Sequence, residues 1–159
     1  MPRIIKHGAV TEDTRPGVDP DVAIPAPDQV CTLEQWLQLT DKEGSAVQLE
    51  PGQPPAPLLD HLDQIHLIVI NFPVFTDGRG FSYARELRQR GYSGELRAGG
   101  HFIRDQLNYL HRCGFDAFQM SDDSNLEAAL AGLDGFTEHY QAAIDQPLPL
   151  FRRRKQAAP

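Results

Sequence analysis

From Ala46 onward the hydrophobic and polar positions switch between two periods. AVQLE (Ala46–Glu50), IHLIVINF (Ile65–Phe72), GELRAGG (Gly94–Gly100) and FDAFQMS (Phe115–Ser121) are short β-prone runs. IHLIVINF does not alternate, as expected of a strand covered on both faces. Between the runs lie helical segments: PLLDHL, SYARELRQRG with Ser82 as cap, and HFIRDQLNYLHRCG. The last has the stripe Ile103, Leu107 and Leu110, with Phe102, Gln106 and Cys113 on its flank. SNLEAALAGLDG follows, opened by the box Ser124…Glu127, and FTEHYQAAI extends or follows it as a further short helix. Repetition of strand and helix predicts an α/β fold: about four parallel strands joined by right-handed crossovers. The order is either sequential, like half of a β/α barrel, or doubly wound, like flavodoxin. Four units cannot close a barrel, so an open edge needs cover.

Upstream, RIIKHGAVT reads as a short β ribbon turning at His7–Gly8. Asp13–Val30 holds four prolines and reads as an arm crossing the surface. TLEQWLQLTDKEG predicts a helix with the capping box Thr32…Gln35 and a stop at Gly44. The ribbon, or a second copy of the chain in a homodimer, would cover the open edge. The organisation is one α/β domain over 1–150, with ribbon, arm and helix in 1–45 and β/α repeats in 46–145. A basic tail, 146–159, is expected to be disordered, because FRRRKQ follows QPLPL.

The 159 residues suffice for one core without a staple. The two cysteines, Cys31 and Cys113, form no CxxC, and no four-cysteine set could hold an iron–sulfur cluster. No signal-peptide pattern and no apolar run of roughly 20 residues is present, so the expectation is a cytoplasmic protein without a membrane span. A net charge of −7 argues against a nucleic-acid partner. His66, His101 and His111 lack metal-ligand spacing, so no metal is expected. Cys113 reads as a core thiol.

Ligands of parallel sheets collect at the strands' carboxyl ends. The loops there would be Pro73–Phe81, Gly99–His101 and Ser121–Ser124. In the first, Gly78 and Gly80 bracket Arg79 before a helix start, a place that favours anions. Position 83 is tyrosine, so the dinucleotide fingerprint fails. The alternative is a plain turn in which Asp77 bonds its own backbone. Arg97, in a strand covered on both faces, needs a carboxylate or a bound anion; the expected carboxylate is Asp77. Asp105 suits a helix N-terminus, Gln106 is a half-buried amide that wants partners, and Arg112 sits near a helix end.

The run FPVFTDGRGFSYARELRQRGYSGELRAGG, followed by HFIRDQLNYLHRCGFDAF, closely resembles the bacterial domain of unknown function 934 family. Its members typically show F-P-x-F-T-D-G-R-G-Y/F-S, then G-E-L-R-A, then R-D-Q-x-x-Y-L-x-R-C-G-F-D. All three blocks are present, and MPRIIKHG and FTEHYQ match the family's edges. The resemblance covers most of the chain, least clearly Asp13–Val30. Where the family often has an aliphatic or acidic residue before R-D-Q, this chain has His101 and Phe102. The family is labelled an oxidoreductase of sulfite reduction, because its members often neighbour assimilatory sulfite reductase. The chain itself holds no flavin, nicotinamide, cluster or haem motif, so no cofactor is expected.

What the resemblance implies is an accessory protein of sulfur assimilation, an adaptor or electron-delivery partner of sulfite reductase. Thr76, Asp77, Arg79, Arg97, Arg104, Asp105, Gln106 and Arg112 would then form one electropositive pocket or contact surface, with Gly78 and Gly80 shaping its loop. The alternative is a small enzyme that clamps an oxyanion or phosphorylated metabolite between Arg79 and Arg97. Asp77 or Asp105 would handle a proton there.

Overall fold

The computed structural model describes residues 2–133 and 138–156. Seven strands form one sheet: β1 (Arg3–Lys6), β2 (Ala9–Glu12), β3 (Val30–Thr32), β4 (Ser45–Leu49), β5 (Ile65–Phe72), β6 (Glu95–Gly100) and β7 (Ala117–Met120). Their order is β2-β1-β7-β6-β5-β4-β3. β3 to β7 are parallel and sequential, while β1 pairs antiparallel with both β2 and β7. This is the order of half a β/α barrel, without the reversal of a doubly wound sheet.

Sequential right-handed crossovers put every connecting helix on one face. The helices are α1 (Leu33–Gln38), α2 (Arg79–Gln89), α3 (Leu107–Cys113), α4 (Leu126–Leu130) and α5 (Leu150–Gln156). Trp36, Leu58, Leu87, Leu107, Leu110 and Leu126 pack in one cluster with Val47, Ile68, Ile70, Phe72, Leu96 and Phe118. A smaller cluster, Val30, Ala46, Leu67 and Val69, lies on the opposite face, where Val18 of the arm packs on it. The arm thus does for one face what helices do for the other.

The ribbon covers the β7 edge. His7 and Gly8 both have positive φ (53° and 72°), the backbone of a tight hairpin turn. Ile5 then registers with Phe118 across the β1–β7 pair.

Several boundaries differ from expectation. A fifth parallel strand, β3, was hidden at the end of the proline-rich arm because it is three residues long. The Thr32–Gln35 capping box forms as read, but α1 stops at Gln38, where Leu39 turns extended; Gly44 serves the turn into β4. Ser82 lies inside α2, which starts at Arg79. Ile103 is exposed at a short 3-10 turn, Arg104–Gln106, rather than on the buried stripe of α3. Asn125, not Ser124, caps α4 through Ala128 N–H. Of the helix expected over 136–144, residues 136 and 137 lie outside the described residues. The rest runs without helix, pinned by Ile144 N–H to Arg112 O at 3.1 Å. The segment read as a disordered tail carries α5, anchored by Arg153 to Glu138, to Leu148 O and to His139 O.

Candidate functional site

The loop after β5 supplies its own anion. The Asp77 carboxylate accepts from Arg79 N at 3.2 Å, Nε at 3.0 Å and Nη2 at 2.6 Å. Those hydrogen bonds from Arg79 hold its carboxyl below the usual range. The start of α2, read from sequence as either an anion site or a turn in which Asp77 bonds the backbone, has Asp77 bonded to Arg79 N–H. Gly78 is the N-cap of α2, and a Cβ there would meet only Phe81 at 3.9 Å. Gly80 serves packing: a Cβ would lie 2.6 Å from Phe72 Cζ and 2.8 Å from Ile70 Cγ2. Thr76 is exposed on the same loop.

Arg97 does not reach Asp77. Its Nη1 donates to Asp13 Oδ2 at 2.8 Å, and its Nε and Nη2 donate to Glu95 Oε1 at 2.9 and 2.7 Å. Lys6 Nζ binds the other oxygen of Glu95 at 2.5 Å. Strand register sets this partner choice. Arg97 pairs with Val69, in mid-strand, eight positions before Asp77, and strand alternation points it to the arm face. It is 4% exposed, so the need for a partner was read correctly and the partner was not. Burial alone would raise the Glu95 carboxyl; the bonds from Lys6 and Arg97 outweigh it and hold it below its usual value.

Gln106 joins two loops. Its Nε2 donates to Phe75 O at 2.9 Å, and its Oε1 accepts from Ile103 N at 3.2 Å. Arg104 is exposed, with no side-chain hydrogen bond or ion pair among the described residues, and Asp105 is exposed beside it. Arg112 faces elsewhere: it donates to Gln141 O at 2.6 Å and sits 3.5 Å from Asp145, holding the C-terminal segment. Cys113 is buried, and burial pushes its thiol up.

The candidate residues thus separate into three places. Thr76, Asp77, Gly78, Arg79, Gly80, Arg104, Asp105 and Gln106 share the loops at the carboxyl ends of β5 and β6. Arg97 lies under the arm, and the cavity it lines does not include Arg79. Arg112 serves the C-terminal segment.

On and beside the loops that Gln106 joins, large apolar side chains are exposed among the polar ones. Val74, Phe75, Ile103 and Tyr109 are 52%, 54%, 46% and 53% exposed. Tyr109 is the outer end of an aromatic stack running from the core: Phe72 to Phe81 at 5.4 Å, then Phe81 to Tyr109 at 5.0 Å between ring centroids. Arg79 and Arg104 flank the patch in sequence, and Arg85 lies close enough to Tyr109 to act on it electrostatically. Sequence reading picked the polar residues of these loops and missed the exposed apolar ones between them. Val74 and Phe75, both apolar and placed in a turn region rather than a strand, were the available signal.

A second feature lies on the arm face. Side chains there stack in rows across the strands: Gln48, Val69, Arg97 and Ala117, then Asn71, Gly99 and Gln119. The arm reaches the first of these rows through Val18 and Asp13. The second row floors an open cleft of about 400 Å³ at the carboxyl ends of β4 to β7, with Arg3, Ser121 and Asp123 among its walls. None of the predicted site residues lines it.

No helix among the described residues is long and apolar enough to cross a membrane. No curated protein and no solved structure matches the chain significantly. A family model described as "Bacterial protein of unknown function (DUF934)" matches residues 46–151, from β4 into α5 and including all three sequence blocks. The chain belongs to this bacterial DUF934 family.

Proposed function

We propose that this protein is a non-catalytic accessory component of assimilatory sulfite reduction, an adaptor that docks on sulfite reductase through the loop surface around Gln106. The observation that carries this reading is the exposed patch of Val74, Phe75, Ile103 and Tyr109. Two of the three recognised sequence blocks, F-P-x-F-T-D-G-R-G and R-D-Q-x-x-Y, meet there through the Gln106–Phe75 bond. Clustered aromatic and aliphatic side chains with arginines near them are the composition of protein interfaces. The complementary partner surface is apolar with an acidic rim. The sulfite reductase assignment rests on the family resemblance set out above, whose members often neighbour that enzyme.

The alternative, an enzyme clamping an oxyanion between Arg79 and Arg97, has less support, since each guanidinium already faces a carboxylate. Growth tests the adaptor reading. A deletion strain should grow slowly with sulfate as sole sulfur source and normally on cysteine. Complementation should succeed with the native gene and fail with Phe75→Asp. Normal growth of the deletion strain on sulfate would refute the proposal.

A further inference from the structure

The cleft on the arm face has a chemistry of its own. Glu50, one position beyond β4, accepts from Gln48 Nε2 at 2.6 Å and from Asn71 Nδ2 at 2.7 Å. A carboxylate only accepts, so both amides must turn their NH2 groups to it. That fixes their orientation and leaves both carbonyl oxygens as acceptors on residues that line the cleft. Glu50 is itself held in place, its N–H donating to Gln53 Oε1 at 2.9 Å. Gly99, between Asn71 and Gln119, contributes no side chain, so the floor stays open. Gln119 makes no side-chain hydrogen bond among the described residues, which leaves a third amide unengaged.

The charges point the same way. The cation in the wall, Arg3, is engaged by Glu127 Oε1 at 3.0 Å and by Asp123 O at 2.9 Å. Glu50 and Asp123 leave the surroundings acidic. Such surroundings repel oxyanions and concentrate cations. About 400 Å³ lies within the range of small-ligand sites.

The geometry points to a binding site for a small organic cation bearing N–H donors, of the amine or guanidine class. Its donors would meet the carbonyl oxygens of Gln48 and Asn71 and the Gln119 amide, with Glu50 behind the two amides it orients. The site is independent of the docking surface, so each can fail without the other.

Side-chain amide NMR signals provide the test. Methylguanidinium should shift the Gln48, Asn71 and Gln119 NH2 resonances saturably, while sulfite, phosphate and glycerol should not. Glu50→Gln and, separately, Gln119→Leu should each weaken binding tenfold or more, with backbone spectra otherwise native. Gln119 has no described partner to lose, so its variant keeps the test valid if Glu50→Gln unfolds. Phe75→Asp should leave methylguanidinium binding unchanged. Saturable shifts of the same signals by sulfite or phosphate would overturn the assignment. So would binding of glycerol alone, no saturation by methylguanidinium, or native affinity in both variants.

Discussion

Arg97→Met removes the charge from the centre of the arm-face network while keeping the stem. Asp13 and Glu95 approach the guanidinium at 2.8 and 2.7 Å, and all three side chains are less than a tenth exposed. After the change Glu95 keeps Lys6, but among the described residues the Asp13 carboxylate keeps only the N–H of Arg15, at 3.3 Å. Breaking a buried ion pair from one side leaves uncompensated charge and costs about 3–5 kcal/mol. A chain of this size unfolds in urea with a slope of roughly 2 kcal/mol per molar, so the midpoint should fall by about 1.5–2.5 M. The protein has one tryptophan, Trp36, fully buried with its Nε1–H donating to Ser45 Oγ at 2.9 Å, so its fluorescence reports the transition.

The pH dependence carries a sign. Glu95 is depressed on folding, so its contribution is present above its unfolded pKa, near 4.5, and is lost as pH falls through the folded value. The stability gap between the native protein and the variant should therefore narrow below about pH 4.5. A midpoint shift under about 0.5 M, or a gap that widens in acid, would refute the network's assigned role.

Gly80→Ala should destabilise by about 1–3 kcal/mol, since the new methyl would press on the Phe72 ring and Ile70, and helix propensity returns only about 1 kcal/mol. An unchanged or raised melting temperature would contradict that packing. Cys31 and Cys113 are buried, and burial raises both thiols, so neither should react with Ellman's reagent within minutes in the native protein at about pH 8. Both should titrate in concentrated guanidinium, and fast native labelling would count against the core placement. Gln106→Leu should speed amide exchange over 74–77 while leaving β5 protected, because it removes the bond to Phe75 O; unchanged exchange there would show that the loop is held otherwise.

The β/α alternation was legible because its signals are local. IHLIVINF is long, unbroken and apolar, and Thr32…Gln35 announced a helix start that the structure reproduces. The strand β3 was not, because three residues flanked by proline-rich arm carry no period of their own. Arg97 shows the limit for sites. Its need for a carboxylate follows from one residue in a covered strand, but naming Asp13 requires knowing that an arm eighty-four positions upstream lies across that face. Asp77 was nearer in sequence and lay beyond the strand's end. The loop's polar residues were found by their motif, whereas the patch depends on which of Val74, Phe75, Ile103 and Tyr109 stay outside the core. Tyr109 shares α3 with buried Leu107 and Leu110, and the packing of α3 against the sheet decides which of its side chains point outward. Gln48, Glu50, Asn71 and Gln119 were passed over because their adjacency arises only from strand register.

The docking claim is tested most directly by calorimetric titration of purified sulfite reductase with this protein and with its Phe75→Asp and Tyr109→Asp variants. The patch covers exposed apolar surface that an interface would bury, and a charge placed there stays unpaired on binding. Saturable binding by the native protein, weakened tenfold or more in each variant while both stay folded, is the predicted result. No saturable heat from the native protein, or equal affinity in native protein and variants, would contradict the account.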